Sequence, residues 1–225
     1  MIKTEVLKNG KSNWNINLDN ISLIINGICE KKTQIVYDDE YVSVVDHDIK
    51  QIADQNKKEK VIINLNVDSI NNFLIQTSSG SIRVRDLKFN KCSLTTESGT
   101  IEVINSDSIS TITTTSGNAH IIDSKNIKKV TSQKGDINIR KTDLAPNAEI
   151  KNQYGHTWLD RCNSNEELNI SSTSGTITLT NSNLESICNI SNPGGEVIMN
   201  KTKFDIDDIN IHTYKLKMLG IELKR

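Results

Sequence analysis

Residues 96–103 read Thr96-Glu97-Ser98-Gly99-Thr100-Ile101-Glu102-Val103, and variants of this phrase return along the chain. TSSGSIRV stands at 77–84, TTSGNAHI at 114–121, SQKGDINI at 132–139 and NQYGHTWL at 152–159. SSTSGTITL follows at 171–179 and SNPGGEVIM at 191–199. The anchoring glycines are Gly80, Gly99, Gly117, Gly135, Gly155, Gly175 and Gly195, spaced 19, 18, 18, 20, 20 and 20 apart. Five residues before each glycine lies an apolar side chain: Ile75, Leu94, Ile112, Val130, Ile150, Ile170 and Ile190. Two after it come Ile82, Ile101, Ala119, Ile137, Thr157, Ile177 and Val197, with Thr157 the one polar member. Four after it come Val84, Val103, Ile121, Ile139, Leu159, Leu179 and Met199. Polar residues mostly fill the gaps, so each phrase alternates in and out with the period of a β-strand.

A third apolar position follows nine or ten residues past the glycine, at Phe89, Ile109, Ile127, Leu144, Leu184 and Phe204. One coil of two or three short strands cannot bury such a face alone, but stacked coils bury each column as a ladder. The expected fold is therefore all-β, a β-solenoid of 18–20-residue coils with an irregular N-terminal cap. At about 4.8 Å per coil, seven to nine coils make a rod roughly 35–45 Å long. The glycine is expected to turn each corner at positive φ. The preceding Ser and Thr are expected to bond the corner backbone and one another from coil to coil.

Outward from the repeat the pattern loosens. Trp14, Ile16 and Leu18, then Ile21, Leu23 and Ile25, alternate as strands, and Val42, Val44 and Val45 form another short run. They fit a hairpin or a degenerate first coil. From Asp48 to Lys60, Ile49, Ile52 and Ala53 have helical spacing, which fits a short capping helix or a charged loop. Strands resume with Val61, Ile63, Leu65 and Val67. At the far end Ile209, Leu216 and Met218 keep the apolar spacing while Tyr214 stands in the glycine's place, as in an altered terminal coil. One continuous domain is expected: irregular N-terminal strands over 1–60, the solenoid over 61–218 and a tail over 219–225.

The Ser-Gly-x-Ile-x-Val punctuation resembles the bacterial putative-adhesin domain family. The likeness covers residues 61–200 and is clearest at Ser79-Gly80-Ser81-Ile82-Arg83-Val84 and Ser98-Gly99-Thr100-Ile101-Glu102-Val103. The resemblance implies a structural, adhesive or envelope-associated role and carries no catalytic residues. The chain is less similar to bactofilin-like polymerising β-helices, which are richer in glycine than its 11.

Net charge is −1, from 27 basic and 28 acidic residues over 225, so no global field recruits nucleic acid or an anionic membrane. No window is long and apolar enough to insert into a membrane. With no leader pattern at the start, an intracellular or virion-associated location is expected over secretion. Cys29, Cys92, Cys162 and Cys188 are widely spaced and read as free thiols. His47, His120, His156 and His212 fall in unrelated columns, and the acidic run Asp38-Asp39-Glu40 lacks the spacing of a calcium loop. No metal and no cofactor are expected.

For catalysis, a polysaccharide-cleaving β-helix needs carboxylates facing one another across neighbouring coils. The nearest approaches to an acid–base pair are Asp136 beside His156 and Glu102 beside His120, both expected to be ladder contacts. Tyr154, His156 and Trp158 break the repeat's polarity, and alternation points His156 and Trp158 outward. An exposed tryptophan on a polar ladder is suited to a sugar ring or a partner protein. These three are the candidate binding residues. The expected function is a non-enzymatic structural or adhesin-like module within a larger assembly such as a virion or cell envelope. Its expected partners are a protein, itself through the solenoid ends, or a carbohydrate. The alternative is a β-helix that binds or cleaves polysaccharide.

Overall fold

Each repeat folds as a three-sided coil whose sides follow from its alternation. In the coil around Gly99, strand Phe89–Thr96 forms one side and strand Ile101–Ile104 the second. The third side is short, with Asp107 bridging in parallel to Lys88 and Lys125 of the flanking coils. The computed structural model describes residues 1–225 apart from 8–11, 30–31, 54–59, 67–70, 185–186, 206–208 and 225. Among the described residues there is no helix, and none long and apolar enough to cross a membrane.

Coils stack in parallel and in phase. Leu94 pairs with Ile75 below and Ile112 above, and Val103 pairs with Val84 and Ile121. All three expected columns are buried along their length. The shorter third column is buried too, and in the fifth coil Ser164 takes its place, its hydroxyl bonded to the Glu166 carbonyl. Thr157, the polar member of its column, is fully buried, and its hydroxyl has no partner among the described residues.

The glycine column has a different cause from the one expected. Of the described glycines, only Gly175 and Gly220 have positive φ, at 142° and 60°. Space is what demands glycine. A Cβ on Gly99 would lie 2.1 Å from the Gly80 carbonyl oxygen, and one on Gly117 would lie 1.8 Å from that of Gly99. Each glycine is the seat on which the next coil's corner rests. The left-handed backbone occurs instead six residues later, at Asp86, Asn105, Asp123, Lys141, Arg161, Asn181 and Lys201, with φ of 46–57°. Aspartate and asparagine tolerate that conformation best among residues with a Cβ.

Two polar ladders run inside the stack beside these corners. Three residues before the glycine, the buried Thr77, Thr114 and Ser132 hydroxyls donate to the carbonyls of Gly80, Gly117 and Gly135 at 2.6–3.0 Å. Asn152 and Asn192 do the same work with amides that reach the previous coil's glycine carbonyl and their own coil's corner. Seven residues after the glycine, Ser106, Ser124, Thr142 and Ser182 each bond the carbonyl two residues back at 2.8–2.9 Å. These bonds satisfy corner groups that burial would otherwise strand.

The N-terminal part enters the stack out of sequence order. Strands Ser12–Leu18 and Ser22–Ile28 pair directly on Asn71–Thr77 and Ile82–Arg85. Trp14 stacks on Phe73 at 5.4 Å and lies edge-on to His47. On the opposite side the same two strands carry Asp48–Gln51 and Lys60–Asn66, again in parallel. The coil made by residues 12–28 thus lies between two coils that follow it in the chain. Asp48–Gln51 is a strand and closes a hairpin with Val42–Val45, which corrects the helical reading there; residues 54–59 and Val67 lie outside the described residues. Strand Thr33–Asp38 then crosses antiparallel to Lys60–Asn66 and buries Ile35 and Tyr37, and Ile2–Leu7 pairs antiparallel on it. At this end the apolar columns stop: on Ile2–Leu7, Lys3 and Glu5 stand in register with the buried Tyr37 and Ile35. At the other end the columns continue into Ile209–Leu219, which pairs with Cys188–Asn200 and has no described strand beyond it.

The in-and-out assignment is measurable. Ile112→Ala opens a cavity in a one-dimensional core and is expected to cost about 2–5 kcal/mol, whereas Thr113→Ala on the outer face costs about 0.5 kcal/mol or less. Chemical denaturation of the two variants compares them directly. Gly117→Ala adds only a methyl group, yet it must push against a backbone carbonyl. Overpacking of this kind costs about 1–3 kcal/mol, so its melting temperature should fall with that of Ile112→Ala rather than stay with that of Thr113→Ala.

Candidate functional site

The outer face of the second side is a flat sheet of rungs, one strand per coil. Within it Trp158, on Thr157–Asp160, sits between Asn138 and Thr178 of the adjacent coils. The sheet's alternation turns Thr157 and Leu159 inward, which leaves Trp158 outward and 39% exposed. Its indole N–H donates to the Thr180 hydroxyl at 3.1 Å, and the Arg140 guanidinium carbon lies 5.7 Å from the ring centroid. The ring is thereby held in place with much of its surface still open, an arrangement suited to stacking.

Beneath it lies a charged cluster. Asp160 is buried and accepts from the Thr180 hydroxyl at 2.9 Å, the Asn181 amide at 3.0 Å and Arg161 Nε at 3.0 Å, with Arg140 Nε at 3.8 Å. Burial pushes the Asp160 carboxyl up, but the hydrogen bonds from Asn181, Thr180 and Arg161 outweigh it and hold the group below the usual carboxylate value. Thr180 joins the two parts by accepting from Trp158 and donating to Asp160.

Of the three candidate residues, Trp158 stands on the exposed face of its strand, and His156, also exposed, lies just before that strand begins. Tyr154 is 52% exposed but belongs to the corner before Gly155, and no ring contact among the described residues ties it to Trp158. The His156 backbone N–H donates to Asp136 Oδ1 at 2.8 Å, so this carboxylate serves the ladder. Glu102 is held by ion pairs with Arg83 and Arg85 of the preceding coil. Sequence reading missed Arg140, Asp160, Arg161, Thr180 and Asn181. The signal lay in the column five past the glycine, where Arg140, Asp160 and Thr180 follow one another on adjacent coils.

Cys92, Cys162 and Cys188 are buried free thiols, with burial pushing Cys162 and Cys188 up to about 12 and Cys92 higher still; Cys29 is exposed. Among the described residues no His, Cys, Asp and Glu side chains gather as a metal would need.

These features define a class, a parallel β-solenoid of three-sided, glycine-seated coils with a flat outer ladder. The chain belongs to the Toastrack DUF4097 family, whose model matches residues 31–211. The resemblance read from the Ser-Gly punctuation is borne out at that level. Among solved structures, a putative cell adhesion protein from Clostridium sporogenes ATCC 15579 aligns over 100% of both chains, with 13% identity and a TM-score of 0.30. A putative adhesin from Bacteroides fragilis NCTC 9343 aligns over 99% of this chain and 97% of its own, with 15% identity and a TM-score of 0.40. The sequence matches none of the curated proteins compared with it.

The Asp160 cluster gives a pH signature. A carboxyl whose folded pKa lies below its unfolded value of 3.8 adds stability above that value, and the contribution is lost as pH falls through the folded pKa. Asp160→Asn is therefore expected to cost about 1–3 kcal/mol at neutral pH. It should also flatten the loss of stability below about pH 4 that is expected of the parent protein when its melting temperature is followed into acid.

Proposed function

We propose that this protein is a non-enzymatic, adhesin-like interaction module that presents a flat binding face centred on Trp158. The observation that carries this reading is the held but open indole, fixed by Thr180 and Arg140 on an otherwise polar ladder. His156 widens the exposed face, and Tyr154 adds an exposed aromatic at the adjoining corner. Tryptophan and arginine side by side recur where protein surfaces make their strongest contacts, and a flat indole also suits a sugar ring. Such a module serves a larger assembly, a cell envelope or a virion, by recognition rather than by turnover.

The engagement of Asp136 and Glu102 within the ladder favours this reading over a polysaccharide-cleaving one. The test is Trp158→Ala, run beside the parent on a glycan array and in pull-downs from the native source. The variant should keep the parent's melting temperature within about 2–4 °C, the shift that roughly 1 kcal/mol gives in a chain of this size, and lose at least about tenfold in binding. Identical binding profiles for the two proteins would sink the proposal. Release of oligosaccharide from a polysaccharide panel would replace it with the enzymatic alternative.

A further inference from the structure

The two ends of the stack differ in a way that the repeat alone does not require. At the N-terminal end the antiparallel strands Thr33–Asp38 and Ile2–Leu7 lie across the last coil. Their charges are spent locally, with the Met1 amino group on Asp38 and Asp39 and Lys3 on Asp39. No apolar column continues through them. At the C-terminal end the columns run out unfinished. Ile209 and Ile211 sit in register on Cys188 and Ile190, and Leu216 and Met218 on Val197 and Met199, all four of which are buried. Yet Leu216 is 43% and Met218 46% exposed, and Tyr214 at the corner is 83% exposed. Among the described residues the far edge of Ile209–Leu219 has no paired strand.

We infer that this open end is covered by the same end of a second copy, giving a closed two-fold dimer. The terminal strand is self-complementary in antiparallel register. Tyr214 alone spans the corner that Pro193, Gly194 and Gly195 fill in the coil beneath, so the inward parity shifts there by one residue. A two-fold axis between Thr213 and Tyr214 then sets Ile209 against the partner's Met218 and Ile211 against the partner's Leu216. Inward side chains meet inward ones on both sides of the corner. Outward, Asn210 meets the partner's Lys217 and His212 meets the partner's Lys215, and both lysines are already paired with Glu196 of their own chain. A strand of eleven residues offers roughly 35 Å of pairing edge. Its burial on both copies comes to on the order of 1,000 Å², the lower end of specific interfaces. The dimer is therefore weak, with a Kd in the micromolar range, on the order of 1–100 μM. A two-fold contact uses the same face of both copies, and the N-terminal end presents Lys3 and Glu5 where the columns would continue, so growth stops at two. The inference rests on no part of the Trp158 reading, and Trp158→Ala should dimerise as the parent does.

Sedimentation velocity of the full chain from about 1 to 200 μM, spanning that Kd range, is the measurement. A reversible monomer–dimer equilibrium is expected. Leu216→Lys and, separately, Ile211→Lys should shift it toward monomer by at least about tenfold, while Val6→Lys at the N-terminal end should leave it unchanged. Melting curves of each variant establish that the stack is intact. In a Cys29→Ser background, Tyr214→Cys should form a disulfide-linked dimer on mild oxidation, because Tyr214 flanks the axis. A monomer at every concentration, open-ended oligomers, or a dimer indifferent to Leu216→Lys would each overturn the inference.

Discussion

The structure depends on how closely one glycine can approach the carbonyl of another. Strands of adjacent coils are set about 4.8 Å apart by their hydrogen bonds. At the corner the backbone of one coil lies against the Gly carbonyl of the coil before, where even a methyl group has no room. Any larger residue would lift the corner and open the ladder on both sides of it. The aliphatic columns supply the driving force for stacking, since each buried Ile, Val or Leu is worth roughly 1.5–3 kcal/mol. The seat decides where that force can act, because it fixes the height and phase at which the columns meet. The buried threonines and asparagines beside it complete the corner by satisfying the groups that close contact shuts away from water.

Much of this was legible because a solenoid writes its geometry in one dimension. Ile75, Leu94 and Ile112 are apolar in the same column for the same reason, so each confirms the next. The irregular strands at the N-terminus were harder to place because their coil carries no glycine. Leu18 pairs with Thr77 and Leu23 with Ile82, which puts Ile21 in the register of Gly80. The repeat phrase is thus missing where the chain still follows the repeat. The order of the coils is also invisible to periodicity, since a column does not record which neighbour comes next. At Ile49 and Ile52 three or four residues were too few to tell a strand from a helix.

The candidate site was legible in part, for a related reason. Trp158 and His156 stand out because they interrupt a polar column, whereas Arg140, Asp160 and Thr180 look ordinary one at a time. Their meaning comes from adjacency across coils about 20 residues apart. The abundance of asparagine was similarly opaque as composition. In the structure Asn72 reaches Asn13, Asn90 reaches Asn72, Asn189 reaches Asn169 and Asn210 reaches Asn189, as outward amide ladders that run with the coils. Such ladders let a surface remain polar while still bonding along the stack.

The out-of-order coil has a consequence for how the chain is made. Residues 12–28 leave the ribosome first, yet both surfaces they must cover are synthesised later, at 48–66 and 71–85. A solenoid threaded in simple order can zip behind the ribosome, one neighbour at a time. This one must hold its first coil in waiting until its two flanking layers have emerged, and then close around it. The closure also locks the early segment in place, since Ser12–Leu18 and Ser22–Ile28 are clamped by a strand on each side and cannot leave as a terminal layer.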